Sequence, residues 1–194
     1  MTDLVLDPAR SRVRIHTFAE GLLARLAHDL ELVCGALSGT ASGHAGAGDA
    51  RASIEAPLSG MSVTGILGKD GRVDEQGLSA NERREVMTKM QKDVFHAGAD
   101  AAVRVEGQLD GGTGGMGGMP TKARLRVIPP AGKPFEAVVP VTVRAEAEGG
   151  VHATGSLDVS LSAIGSDPLK GPMGAFRIKD KVKVTFDLMF TPRA

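Results

Sequence analysis

Only one cysteine, Cys34, occurs in the 194 residues, so no internal disulfide can form. Tryptophan and tyrosine are absent and phenylalanine occurs six times, which leaves few platforms for stacking nucleic-acid bases. An excess of one charge is missing too. Lys and Arg total 23, Asp and Glu total 23, and this balance argues against a nucleic-acid surface, which needs a basic stripe. No apolar run reaches membrane-spanning length, so no transmembrane segment is expected. Residues 1–14 are polar and mixed in charge, with no apolar h-region. No signal peptide is therefore expected, and a cytoplasmic location is the default.

What the chain does have is alternation with period two. Over 151–161, Val151, Ala153, Leu157, Val159 and Leu161 share one side, and His152, Thr154, Ser156, Asp158 and Ser160 share the other. Over 181–190, Val182, Val184, Phe186, Leu188 and Phe190 alternate with Lys181, Lys183, Thr185 and Asp187. Successive side chains of a strand face opposite ways, so each run has a dry face and a wet face. Between them, residues 164–175 are broken by Gly165, Asp167-Pro168, Gly171-Pro172 and Gly174, which predicts two antiparallel strands joined by a long loop.

The same pattern recurs upstream. Residues 4–6 are a short apolar start ended by Asp7-Pro8, and residues 11–18 read as the first clear strand. From Gly21, the leucines Leu22, Leu23, Leu26 and Leu30 are spaced as a helix of about two turns. Period two then returns with Leu30, Leu32, Cys34 and Ala36. Residues 39–49 read as a hairpin loop, and 52–58 as a strand with Pro57 near its end at an edge or bulge. Residues 60–77 read as polar and irregular. Ser79-Ala80-Asn81-Glu82 is a capping box that opens a helix to about Asp93, with Val86, Met87, Met90 and Val94 on its apolar face. Glu85 and Lys89 are an i,i+4 pair on its wet side, and Arg83, Arg84, Lys89 and Lys92 read as its solvated face. Residues 102–109 read as a strand. The glycine-dense 111–118 should be a mobile hairpin tip. Strands at 123–127 and 135–145 follow.

The expected fold is all-β with two short helices. Eight long one-sided strands must pack as two sheets or close on themselves, and closure removes exposed edges. The reading is therefore an eight-stranded antiparallel lipocalin-like barrel in one domain. The inward set is rich in small residues (Ala36, Ala52, Ala56, Ala137, Ala153), which leaves volume on the axis. Two fillings of that volume are open. Phe135, Phe186, Phe190 and the helices plug it, or an apolar ligand does.

The ordered pieces resemble the YceI-like family of lipid-binding β-barrels across nearly the whole chain. Leu6-Asp7-Pro8 with Ser11-Arg12-Val13 resembles the family's opening "D-P-x-H-S-x-V" strand. Leu26-Ala27-His28 follows as its short histidine-bearing connection, and Gly35-Ala36-Leu37-Ser38-Gly39-Thr40 stands, more weakly, for its "G-x-F-x-x-x-G-x" hairpin strand. Lys133-Pro134-Phe135-Glu136-Ala137-Val138-Val139-Pro140-Val141 is similar to "V-T-K-P-V-x-L-P-V". Val182-Lys183-Val184-Thr185-Phe186-Asp187-Leu188 is similar to the closing "V-x-I-x-I-x-L-E". The resemblance implies a lipocalin-like barrel whose lumen holds an isoprenoid or fatty-acid-like chain. Many relatives carry a secretion signal, and the usual aromatic-rich lumen is thin here.

Other chemistry is poorly served. His16, His28, His44, His96 and His152 lack metal-ligand spacing, no G-x-S-x-G elbow occurs, and residues 111–118 are not followed by the Lys-Ser/Thr of a phosphate loop. No cofactor and no metal is expected, and Cys34 reads as a buried inert thiol.

Three functional readings follow. The leading one is a binding module for a hydrophobic or amphiphilic small molecule. Leu22, Leu23 and Leu26 would cover one end, and Val13, Ile15, Val139, Val141, Val159, Val184 and Phe186 would line the lumen. Arg25 or His28 would meet a polar head. The second is an enzyme with His16, His28 and Asp29 converging at the barrel mouth. The third is a structural or partner-binding barrel with a filled interior, with a symmetric homodimer contact as its sign.

Overall fold

The structure is a computed structural model. It describes residues 3–21, 28–43, 50–110, 117–171 and 176–193, with backbone alone at 117–120. Among the described residues, fourteen strands follow in chain order: β1 (Leu4–Leu6), β2 (Arg12–Thr17), β3 (Ala19–Glu20), β4 (Leu30–Cys34), β5 (Ser38–Ser42), β6 (Arg51–Pro57), β7 (Met61–Leu67), β8 (Val73–Asp74), β9 (Ala102–Asp110), β10 (Gly117–Ile128), β11 (Phe135–Ala145), β12 (Val151–Ser160), β13 (Arg177–Ile178) and β14 (Lys181–Pro192). Helix α1 (Ala80–Lys89) lies between β8 and β9.

Eight strands close an antiparallel ring in the order β1-β5-β6-β9-β10-β11-β12-β14, with β14 returning to β1. Strand β14 is the seam. One edge pairs with β12 from Val151↔Phe190 to Ser160↔Lys181. The other edge is shared: Phe190, Thr191 and Pro192 pair with β1, and Lys183 to Asp187 pair with β2. A branch β2-β4-β7-β8 continues the wall at one end. Thus β1 and β2 are two pieces of one strand position, as are β4 with β5 and β6 with β7.

The sequence alternation decides which face is dry. Val13 and Ile15 of β2, Val141 and Val143 of β11, Leu157 and Val159 of β12 and Leu188 and Phe190 of β14 all join one apolar cluster. Their neighbours Arg12, Arg14, Arg144, Asp158 and Asp187 are exposed.

Several expectations are corrected. Residues 39–42 of the expected 39–49 hairpin loop lie in β5 instead, because the backbone of β5 pairs with both β1 and β6. Residues 61–67 form β7, not an irregular stretch. Their alternation is broken because Leu32 pairs with Val63 and Glu31 with Gly65, which leaves Thr64 as an extra, bulged residue. At Gly65 a Cβ would stand 2.3 Å from the Asp74 carbonyl oxygen, so only glycine lets β8 approach β7 here. Among the described residues one α-helix forms. The other predicted helix falls on residues 22–27, outside the described residues, and Leu30 already belongs to β4. The glycine-rich tip at 111–116 also lies outside them.

Helix α1 starts as its sequence dictates. The Ser79 hydroxyl accepts from Glu82 N–H at 3.3 Å, while Glu82 Oε2 accepts from Ser79 N–H at 2.8 Å. A single π-type turn (Met90–Val94) ends it, with Phe95 N–H donating to Met90 O at 3.1 Å. Arg83 corrects the expected solvated face. It is half-buried, and its guanidinium donates to the carbonyls of Val63, Thr64 (2.7 Å) and Glu75, with Nε reaching Leu78 O. Arg83 takes the place of a missing strand along β7 and fixes the helix to the wall.

The barrel lumen as candidate functional site

A cavity of about 1320 Å³ occupies the barrel axis, so the interior is not filled by side chains. One end is covered by α1 and by the connection after β12. Val86 lines it from the helix, Leu78 and Met90 from just before and just after it, and Leu169, Phe176 and Ile178 from the connection. The two covers are tied together. Asp93 O accepts from Asp167 N–H at 2.9 Å and from the Ser166 hydroxyl, and His96 Nε2 donates to Gly165 O at 3.2 Å. A small sheet of β3 and β13 adds to this lid, held by the Arg177–Glu20 ion pair at 2.5 Å.

The walls are aliphatic. Among the described residues, the polar side chains on the lining are Thr17, His28, Glu82, Glu85, Lys89 and Lys170 at the lid end, and Ser42, Arg51 and Gln108 at the far end. No polar side chain lines the middle among the described residues. The lid-end acids are already engaged: Glu82 with Ser79, and Glu85 with Asn81 at 2.7 Å. Lys89 pairs with Asp93 at 3.2 Å instead of with Glu85. An apolar lumen without hydrogen-bond partners holds water poorly, which suits it to hydrocarbon.

The expected lining residues divide into three groups. Val13, Ile15, Val141, Val159, Val184 and Phe186 line the cavity, and His28 stands at its lid-end rim. Val139 shares their face and is buried in the core without lining the cavity. Leu22, Leu23, Arg25 and Leu26 lie outside the described residues. Phe186 and Phe190 line the lumen without closing it, and Phe135 packs against the core outside the lining.

The sequence reading missed the contributions of Met61, Leu78, Ile164 and Leu169. Met61 was hidden by the bulge that breaks the alternation of β7. The others carry no periodic signal, because Leu78, Ile164 and Leu169 lie in turns and irregular backbone outside the strands and α1.

Cys34 lines the lumen in phase with Leu32, and burial pushes its thiol pKa up to about 12. The convergence of His16, His28 and Asp29 does not occur. His16 alternates with the inward Ile15, and its Nε2 meets Glu31 Oε2 at 2.9 Å. Asp29 Oδ1 accepts from Ala19 N–H at 2.8 Å, while His28 is exposed at the rim. His152 is outward by phase, as expected, and lies 2.7 Å from Asp187.

Among the described residues, no three His, Cys, Asp or Glu side chains gather in a metal-binding arrangement. No helix among them is long and apolar enough to cross a membrane.

No family model matches the sequence, and no curated protein sequence matches it. The fold is similar to that of BcnA from Burkholderia cenocepacia, in its crystal structure. The TM-score is 0.64, with 16% identity over 95% of this chain and 98% of that one. At that identity the likeness is one of fold.

Proposed function

We propose that residues 1–194 form a single YceI-like binding domain that holds an apolar-tailed amphiphile, isoprenoid or fatty-acid-like, along the barrel axis for sequestration or transport. The observation that carries the reading is the lumen itself: about 1320 Å³, aliphatic through its middle, with polar side chains only at its ends among the described residues. Such a profile matches a molecule whose long middle is hydrocarbon and whose head is polar. Val13, Ile15, Val141, Val159, Val184 and Phe186 take the tail in this reading, and His28 stands where a head would emerge.

The energetics support it. Each buried methylene contributes roughly 0.8 kcal/mol, so about a dozen supply on the order of 10 kcal/mol before association costs of about 4 kcal/mol or more. The surplus of about 6 kcal/mol corresponds to an affinity on the order of tens of micromolar with no hydrogen bond inside the lumen. The BcnA likeness supports the fold half of the reading.

Native mass spectrometry of gently purified protein tests it. A co-purifying lipid, or uptake of palmitate or farnesol at one molecule per chain, is expected. A protein that carries none and takes up neither would overturn the reading.

A further inference from the structure

Phe186 sits at the middle of β14, with Val182 and Val184 on its lid side and Leu188 and Phe190 beyond it. In the register it stands opposite Gly155 of β12, itself midway between the inward pairs Leu157, Val159 and Ala153, Val151. The same rung runs on through Val13, Cys34 and Met61 in one direction and Val141 in the other. This rung is the waist of the lumen.

The ring of Phe186 lies against the backbone of Gly155. A Cβ placed on Gly155 would stand 2.5 Å from ring carbon Cζ and 3.1 Å from both Cε atoms. Any larger residue at 155 therefore lifts the ring off the wall. The ring can go only toward the axis, because the strand lies behind it. Phe186 is also only partly buried, so its free face meets the open lumen.

We infer that the Gly155–Phe186 pair sets the calibre of the lumen and so determines the chain length it accepts. This inference rests on the binding reading above. With glycine at 155 the ring is folded flat and the two halves of the lumen are one bore. Each half spans about four residues of strand, roughly 13 Å along it. A long unbranched tail then passes the waist, whichever rim holds its head. With a side chain at 155 the ring becomes a plug, and only a tail short enough for one half still binds fully.

Octanoate, laurate, palmitate and stearate are the probes, titrated into the whole chain. In the unaltered protein, affinity should rise about fourfold per added methylene from octanoate to palmitate. In Gly155→Val the rise should stop near laurate: palmitate, losing the gain of four methylenes, weakens by about two hundredfold, and octanoate stays within about twofold. Adding Phe186→Ala to Gly155→Val should restore the rise, a rescue that a general loss of packing would not give. If Gly155→Val fails to fold, Gly155→Ala displaces the same ring by less and should show the same break with a smaller loss. A variant that keeps the full rise through palmitate overturns the inference, and so does one that loses octanoate as much as palmitate. If the unaltered protein binds none of the four acids, the binding reading itself fails, and that result is distinct from either.

Discussion

The hydroxyl of Ser11 bonds both backbone polar groups of Met189, 178 residues further along the chain. It accepts from Met189 N–H at 3.0 Å and donates to Met189 O at 3.4 Å. Asp7 N–H donates to the same carbonyl at 2.8 Å. Met189 lies where β14 passes from its β2 partners to its β1 partners, so no strand faces it there. Ser11 is wholly buried and acts as the missing rung of the seam.

Ser11→Ala leaves the buried Met189 N–H without an acceptor. A buried donor so orphaned costs about 1–3 kcal/mol. At about 2–4 °C per kcal/mol for a chain of this size, the melting temperature should fall by roughly 2–12 °C. Thermal denaturation followed by circular dichroism checks this, and an unchanged melting temperature would count against the seam.

Arg83→Met keeps the aliphatic stem and removes the donors to Val63, Thr64, Glu75 and Leu78 carbonyls. The loss should be about 1.5–3 kcal/mol, the range for bonds to a charged group. Because these bonds tie the lid helix to β7, the loss should be local. Hydrogen exchange should quicken across 80–94 while β11, β12 and β14 keep their protection.

Two carboxylates give the acid response. The Ser79 side-chain hydrogen bond, then its backbone bond, holds Glu82 below its ordinary 4.5. The Ser160 side-chain bond, then the Ser162 backbone bond, holds Asp180 below 3.8. A depressed folded pKa means that the stabilisation is complete above the ordinary value and is lost as pH falls through the lower, folded value. The stability difference between the unaltered protein and Ser79→Ala should therefore be full at neutral pH and shrink below about pH 4.5. Carboxyl titration by NMR should show Glu82 moving back toward its ordinary range in Ser79→Ala.

Cys34 reports on the lumen. With its pKa raised to about 12 by burial, the thiol supplies roughly a thousandfold less thiolate at pH 8 than a free cysteine does. Reaction with a disulfide reagent should be slow in the native protein and fast in denaturant. Laurate should slow it further, since Cys34 lines the cavity. Rapid native labelling would place the thiol outside a closed lumen.

Much of the barrel was legible from period two alone. The strands β11, β12 and β14 lie within a residue or two of their expected bounds, because each has one face in the core and the alternation is unbroken. The capping box placed α1 by local hydrogen bonding that needs no tertiary partner. Strands β5 and β7 were not legible. Ser38-Gly39-Thr40-Ala41-Ser42 has no apolar run, and the bulge at Thr64 puts the alternation of β7 out of phase. Arg83 looked like a surface cation, since nothing local marks three distant carbonyls as its partners.

By itself, then, the sequence determined most of the strand side chains that face the axis and where the lid helix begins, but not the phase at Ala36, which is exposed while Leu37 lines the cavity. What it determined follows from the geometry of a few neighbouring residues. Tertiary structure alone decided that the ring closes through one shared strand, with Ser11 bridging its break. It also decided that His16 meets Glu31 and that the Phe186 ring packs over Gly155. Those outcomes depend on register between distant strands, which no local pattern encodes.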